Sequence, residues 1–252
     1  MATAVICEFN PFHNGHKYLL ESAKNVLKEP VIAIMSGSFT QRGEIAVCDK
    51  FVRAKSALEN GADLVLELPV VFSLSGAEGF AKAGVAIASA FDCTNHLAFG
   101  SESGDCELLK KSANAVCDER VQALVRDGMK NGGYYPRELE NAVKTVFGDE
   151  ISSVLCEPNN ILGVEYIKAL NGTGVEPFSV ARTGVAHDSR IAGEGFASAS
   201  HIREMLRNGE NAKKYVPYIP DEITFPENLD RPLLYRLRTM TREDIAKLPD
   251  VG

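Results

Sequence analysis

Two histidines, His13 and His16, flank Gly15 directly after the apolar run Val5-Ile6-Cys7-Glu8-Phe9 and directly before the helix-like Lys17-Tyr18-Leu19-Leu20-Glu21-Ser22-Ala23. A strand that turns through a tight loop into a helix presents free backbone N–H groups and a positive helix end at its tip, where phosphate is well accommodated. Gly15 lets the backbone come close to a ligand, and imidazoles three residues apart at a helix start can point the same way toward a polyphosphate. The chemistry this arrangement suits is nucleotidyl transfer. The plainer alternative makes both histidines surface residues and Gly15 turn punctuation. Strand, Asn10-Pro11 turn, small residue between histidines and immediate helix occur together, however, and favour the functional reading. A shared metal ion is disfavoured, because no Cys, Asp or Glu with ligand-like spacing stands beside the pair.

A second constellation is Phe196-Ala197-Ser198-Ala199-Ser200-His201-Ile202-Arg203 ahead of Glu204-Met205-Leu206. Hydroxyls at the N-cap and an arginine expected in the first helical turn would grip the outer phosphates of a nucleotide. An ordinary cap explains the serines but not Arg203, since a cation there opposes the helix dipole unless an anion compensates. Ser36-Gly37-Ser38-Phe39-Thr40-Gln41-Arg42-Gly43-Glu44 reads either as a flexible loop over the site or as a plain connection. Gly100, in Leu97-Ala98-Phe99-Gly100-Ser101-Glu102, would let an adenine or ribose lie against backbone, although glycine is common at strand ends without any ligand.

These pieces need a frame to position them. Strands are expected at residues 4–9, 31–36, 63–68, 96–100 and 178–182, and helices at 15–27, 50–60, 77–91 and 105–116. That alternation predicts an α/β fold, a Rossmann-like doubly wound parallel sheet whose ligands bind beyond the carboxyl ends of the strands. Residues 117–170 read as a helical insertion within a domain of residues 1–210. Residues 211–252 read as a proline-rich linker and the start of a C-terminal helical region. Pro217, Pro220, Pro226 and Pro232 argue against regular structure until a short helix near 242–248.

The chain has 252 residues, ample for a sizeable core, and a formal net charge of -7, which argues against indiscriminate nucleic-acid binding. Six scattered cysteines without a C-x-x-C pair read as reduced thiols of a cytoplasmic protein. Neither a signal peptide nor a membrane span is expected. The arginines of the tail from Asp230 onward read on charge alone as a solvated face.

The Asn10-Pro11-Phe12-His13-Asn14-Gly15-His16 loop is similar to the H-x-G-H motif of the nucleotidyltransferase superfamily, and Ser198-Ala199-Ser200-His201-Ile202-Arg203 is similar to its serine-rich second motif. With residues 8–16, 35–44, Lys50, 61–69, 99–102 and 158–166, the chain resembles the bacterial tRNA(Met) cytidine acetate ligase family over nearly its whole length. The resemblance implies an enzyme that adenylates acetate with ATP and acetylates N4 of the wobble cytidine of elongator tRNA(Met). It implies an ATP site of Ile6, Cys7, Glu8, Phe9, Asn10, Pro11, Phe12, His13, Asn14, Gly15, His16, Lys17, Tyr18 and Leu19, with Gly100, Asn159 or Asn160, and Arg182. Arg203, Ser198 and Ser200 would bind pyrophosphate. Family members continue for more than a hundred further residues, so weakened tRNA engagement is expected of a chain ending at Gly252.

In that mechanism His13, His16 and Arg203 stabilise the transferring phosphates, and Mg2+ is expected to bridge them, although no carboxylate pair marks a dedicated site. Arg42, Lys50 and Arg53 are candidates for RNA-backbone contact, against the alternative that they are merely solvated. Rival readings are an adenylyl- or cytidylyltransferase acting on a phosphorylated small molecule, and a non-enzymatic nucleotide-dependent RNA-binding protein.

Overall fold

The computed structural model describes residues 1–182 and 195–248. Strand β1 (Ala2–Cys7) leads into helix α1 (Asn14–Leu27), β2 (Val31–Ser36) into α2 (Lys50–Glu59), and β3 (Leu64–Leu68) into a short α3 (Val70–Ser73) and then α4 (Ala77–Ser89). After β4 (Thr94–Ser101) come α5 (Cys106–Cys117), α6 (Glu119–Lys130), α7 (Tyr135–Phe147), α8 (Asp149–Ser153) and α9 (Pro158–Leu170), and then β5 (Glu176–Ala181). The five expected strands and the four expected helices between them are present, with ends shifted by at most two residues, and residues 117–170 are mostly helical.

The strands form one parallel sheet in the order β3-β2-β1-β4-β5. β1 and β2 are buried along their whole length, as parallel strands covered on both faces must be. Successive side chains serve opposite faces: Ala4 and Ile6 join Phe80, Val85, Leu109 and Val164 in one core, while Val5 and Cys7 join Leu20, Ala23 and Ala57 in the other. Strand order reverses between β1 and β4, so a crevice opens beyond their carboxyl ends.

Past β5, the chain forms α10 (Ala199–Arg207), a 3₁₀ turn (Pro226–Leu229), α11 (Asp230–Thr239) and α12 (Arg242–Ile245). α10 and the segment after it build a third cluster, with Ile202, Leu206, Ala212 and Val216 packed on Val47 and Cys48. α11 overturns the expectation of no regular structure before the tail helix. Pro232 stands in its first turn, where a backbone N–H has no intrahelical acceptor and its loss costs nothing.

Candidate active site

At the tip of β1 the chain turns through Phe9, whose φ of 49° is unusual for a residue with a side chain, and reaches His13, the N-cap of α1. The His13 ring folds back over the helix start, and its Nδ1 accepts the Gly15 N–H at 3.0 Å. His16, at the third helical position, returns the favour: its Nδ1 accepts the His13 N–H at 3.3 Å, closing a capping box made of imidazoles. The rings stack with centroids 3.7 Å apart. Gly15 has a role beside the expected close approach to ligand. A Cβ there would sit 2.9 Å from the His13 ring, so only glycine admits this cap.

Burial first, then the charges of Arg182 and Arg203, lower the His13 pKa from 6.5 to about 3. His16 lies well below its ordinary value through burial, His13 and Arg182. Both rings are therefore neutral at physiological pH. With each Nδ1 accepting a backbone N–H, the ring proton must sit on Nε2, and each histidine offers one uncharged N–H donor.

Ser198 is the N-cap of α10; its Oγ accepts the His201 N–H at 3.2 Å and lies 2.9 Å from Ser200 Oγ. Arg203 stands in the second turn of α10 rather than the first, so the dipole argument for an anion loses its force. Its side chain instead reaches the β1 loop, where Nη1 donates to the Asn10 carbonyl at 2.9 Å. Across the crevice, the Glu102 carboxylate accepts from Asn159 Nδ2 and from the Asn160 backbone N–H at 2.9 Å, and Arg182 Nη1 lies 3.5 Å from Asn159 Oδ1.

These groups enclose a cavity of about 320 Å³, within the range of small-molecule sites. Of the expected site residues, Ile6, Cys7, Glu8, Phe9, Asn10, His13, Gly15, His16, Tyr18, Leu19, Gly100, Asn159, Arg182, Ser198, Ser200 and Arg203 line it. Asn160 does not: it is buried, and its Oδ1 accepts the Ser103 N–H at 3.1 Å. Neither do Pro11, Phe12, Asn14 and Lys17. Phe12 is buried against Phe9 and His16, Asn14 Nδ2 donates to the carbonyls of Gly195 and Lys214, and Lys17 pairs on the surface with Glu21.

The basic candidates separate as well. Arg42 is exposed and lines the cavity, and Lys50 is paired with Glu67 at 2.6 Å. Arg53 must be withdrawn as an RNA contact. It is 1% exposed, and its guanidinium donates to the carbonyls of Glu8, Ser36, Gly37 and Cys48, tying the tips of β1 and β2 together. Gln41 and Phe196, which stood in the quoted 36–44 and 196–206 runs without a role of their own, also line the cavity, as do Phe80 and Tyr166. The aromatic ones carry no signal beyond that of core residues.

The model of the HIGH nucleotidyl transferase family matches residues 1–252. The chain belongs to this family. Among curated proteins it is 41% identical over 227 residues to the tRNA(Met) cytidine acetate ligase of Caldanaerobacter subterraneus, covering 87% of this chain and 56% of that one. It is 36% identical over 262 residues to the ligase of the same name from Thermosipho africanus, covering 97% of this chain and 62% of that one. The chain thus spans about three fifths of the length of these relatives. Thermotoga maritima TmcAL without ligand superposes with a TM-score of 0.89 at 33% identity, over 100% of this chain and 65% of that one. The same protein bound with alpha-thio ATP gives 0.85 at 34% identity, over 96% and 62%. The α/β fold with its parallel five-stranded sheet is that of these neighbours.

Proposed function

We propose that this chain is a cytoplasmic ATP-dependent ligase that adenylates acetate and passes the acetyl group to N4 of the wobble cytidine of elongator tRNA(Met), giving N4-acetylcytidine. The observation that carries the nucleotide step is the pair of neutral imidazoles, each with Nδ1 engaged by backbone and Nε2–H left as donor, in one cavity with Ser198, Ser200 and Arg203. The acceptors are supported by the names of the relatives, and the nucleotide by the thio-ATP carried by the T. maritima neighbour.

In the first step a carboxylate oxygen of acetate bonds to the α-phosphorus while the bond to the bridging oxygen breaks, and pyrophosphate leaves with the electron pair. His13 and His16 donate from Nε2 to phosphoryl oxygens; the N–H groups at the start of α1, expected to share this task, are instead taken by the Tyr215 carbonyl, the His13 ring and the His13 carbonyl. Arg203, Ser198 and Ser200 hold the departing pyrophosphate, and Gly100, Asn159 and Arg182 border the nucleoside. Neutral donors already fixed in place meet the growing negative charge without reorganising, which is the larger part of what such a site supplies. In the second step the cytosine N4 attacks the acetyl carbonyl carbon, AMP leaves, and the amine gives up its proton. A single-stranded anticodon loop presents such a base outside a stack.

Mg2+ would neutralise charge on the phosphates. Among the described residues, no group of three or more His, Cys, Asp or Glu side chains could hold a metal ion. All six cysteines are free thiols, and no helix among the described residues is long and apolar enough to cross a membrane. Incubation with ATP, labelled acetate and unmodified tRNA(Met) is expected to place label in N4-acetylcytidine. Adenylation of a phosphate ester, with none of acetate, would instead establish the small-molecule transferase.

A further inference from the structure

The triphosphate and nucleoside draw on α1, α10 and the ends of β4 and β5, but another wall of the cavity comes from the turn after β2. There Phe39 and Ile45 pair antiparallel, the Thr40 N–H donates to the Glu44 carbonyl at 2.9 Å, and the Gly43 N–H donates to the Thr40 carbonyl at 3.0 Å. The turn is pinned to β1 and its loop at two points. Glu8 Oε1 accepts the Gln41 N–H at 2.6 Å, and Asn10 Oδ1 accepts the Val47 N–H at 2.7 Å. Gln41 is thereby fixed at its backbone and lines the cavity, yet its side-chain Nε2 is buried without a hydrogen-bond partner among the described residues.

A buried amide donor without an acceptor has given up its water without compensation, and such a group calls for a specific explanation. The same cavity is bordered by Ala77 and by the buried rings of Phe80 and Tyr166. A small substrate with an oxygen acceptor at one end and a methyl group at the other matches an amide donor beside apolar surface. We propose that Gln41 is the specificity-determining residue for the acyl group: with its backbone fixed, its side chain turns the enclosed, unpartnered amide into the cavity to donate to a carboxylate oxygen of acetate and to the same oxygen once it is the carbonyl of acetyl adenylate. An uncharged donor orients the carboxylate and leaves its other oxygen nucleophilic, whereas a cation would hold the pair of oxygens in a strong, charge-quenching bridge. This assignment rests on the ligase reading above.

The test compares two ligands by calorimetry: the sulfamoyl adenosine analogue of acetyl adenylate, and the same analogue without its acetyl group. The unsubstituted protein is expected to prefer the acetylated analogue by about tenfold or more, the value of one well-made hydrogen bond. Gln41→Ala and Gln41→Met, the second of which keeps the side-chain length and packing, should both lose most of that preference while binding the non-acetylated analogue within about twofold of the unsubstituted protein. In acetate-dependent ATP–pyrophosphate exchange, the KM for acetate should rise and that for ATP should not. A preference retained in both variants overturns the role of Gln41 and leaves the ligase reading standing. An unsubstituted protein with neither preference nor acetate-dependent exchange overturns the ligase reading and this assignment with it.

Discussion

The histidine pair serves only while uncharged, and that condition has a thermodynamic signature. An unfolded imidazole takes its proton near pH 6.5 and folded His13 only near 3, so between these values the unfolded chain binds more protons. The contribution of neutral His13 to stability is therefore complete above about pH 6.5 and is lost as pH falls toward 3. Urea midpoints should drop through that window, and His13→Asn, which retains a capping side chain without a titrating ring, should flatten the drop. For His16→Ala the expected effect is catalytic: acetate-dependent ATP–pyrophosphate exchange should fall about a hundredfold or more, the usual loss for one oriented donor in a transition state. An unchanged rate would take His16 out of the mechanism. The positions of both histidines were legible in the sequence, because strand, turn and helix leave marks in residue type and spacing. The reason for Gly15 was not, since a ring folding back onto the next residue but one is a matter of rotamer. Gln41 was hidden for a similar reason: a loop amide has no periodicity, and only three-dimensional enclosure reveals that its donor lacks a partner.

Among the elements, the fit of α4 against β1 depends on Gly84. Helix propensity alone predicts that Gly84→Ala stabilises by up to about 1 kcal/mol. Against this, a Cβ at that position would lie 2.5 Å from Ile6 Cδ1, 2.8 Å from Cγ1 and 2.9 Å from Cγ2. A buried, β-branched side chain met at three atoms cannot clear the new methyl by moving its tip alone, and overpacking of this kind costs about 1–3 kcal/mol. The steric effect should win, lowering the thermal midpoint and, because Ile6 also lines the cavity, weakening ATP binding; a raised midpoint would show that α4 can shift freely. The alternation of elements was readable because central parallel strands leave continuous apolar runs between helical patterns. The choice between Asn159 and Asn160 was not. Adjacent helical residues point about 100° apart, so only one of them can face the crevice, and α9 buries residues on several sides, which blurs its apolar stripe. Arg203 was legible as a member of the site but not in its reason, since the helix begins at Ala199 and sets it one turn further along.

For the molecule as a whole, the proposed function sets a difficulty: this acidic chain would have to engage a polyanion. With 34 acidic residues against 27 basic ones, the overall field repels tRNA, so productive contact has to come from a few local cations. Composition alone could not say which cations these are. Arg53, equivalent to Arg42 on paper, is consumed by four backbone carbonyls that fix the strand tips. Lys50 is held by Glu67, and Arg42 remains exposed at the cavity. The two half-reactions should therefore separate under salt. Exchange of pyrophosphate into ATP occurs inside a preformed cavity and should change less than about twofold between 50 and 200 mM KCl, whereas acetyl transfer to tRNA(Met) at limiting tRNA should fall about tenfold, as expected when a small number of phosphates are neutralised. Arg42→Ala should lower transfer, leave exchange nearly unchanged, and reduce the slope of log rate against log salt by about one, the mark of a single phosphate contact. If that substitution left the slope intact, Arg42 would join Arg53 among the cations that do not meet RNA, and the tRNA would have to be held by other residues.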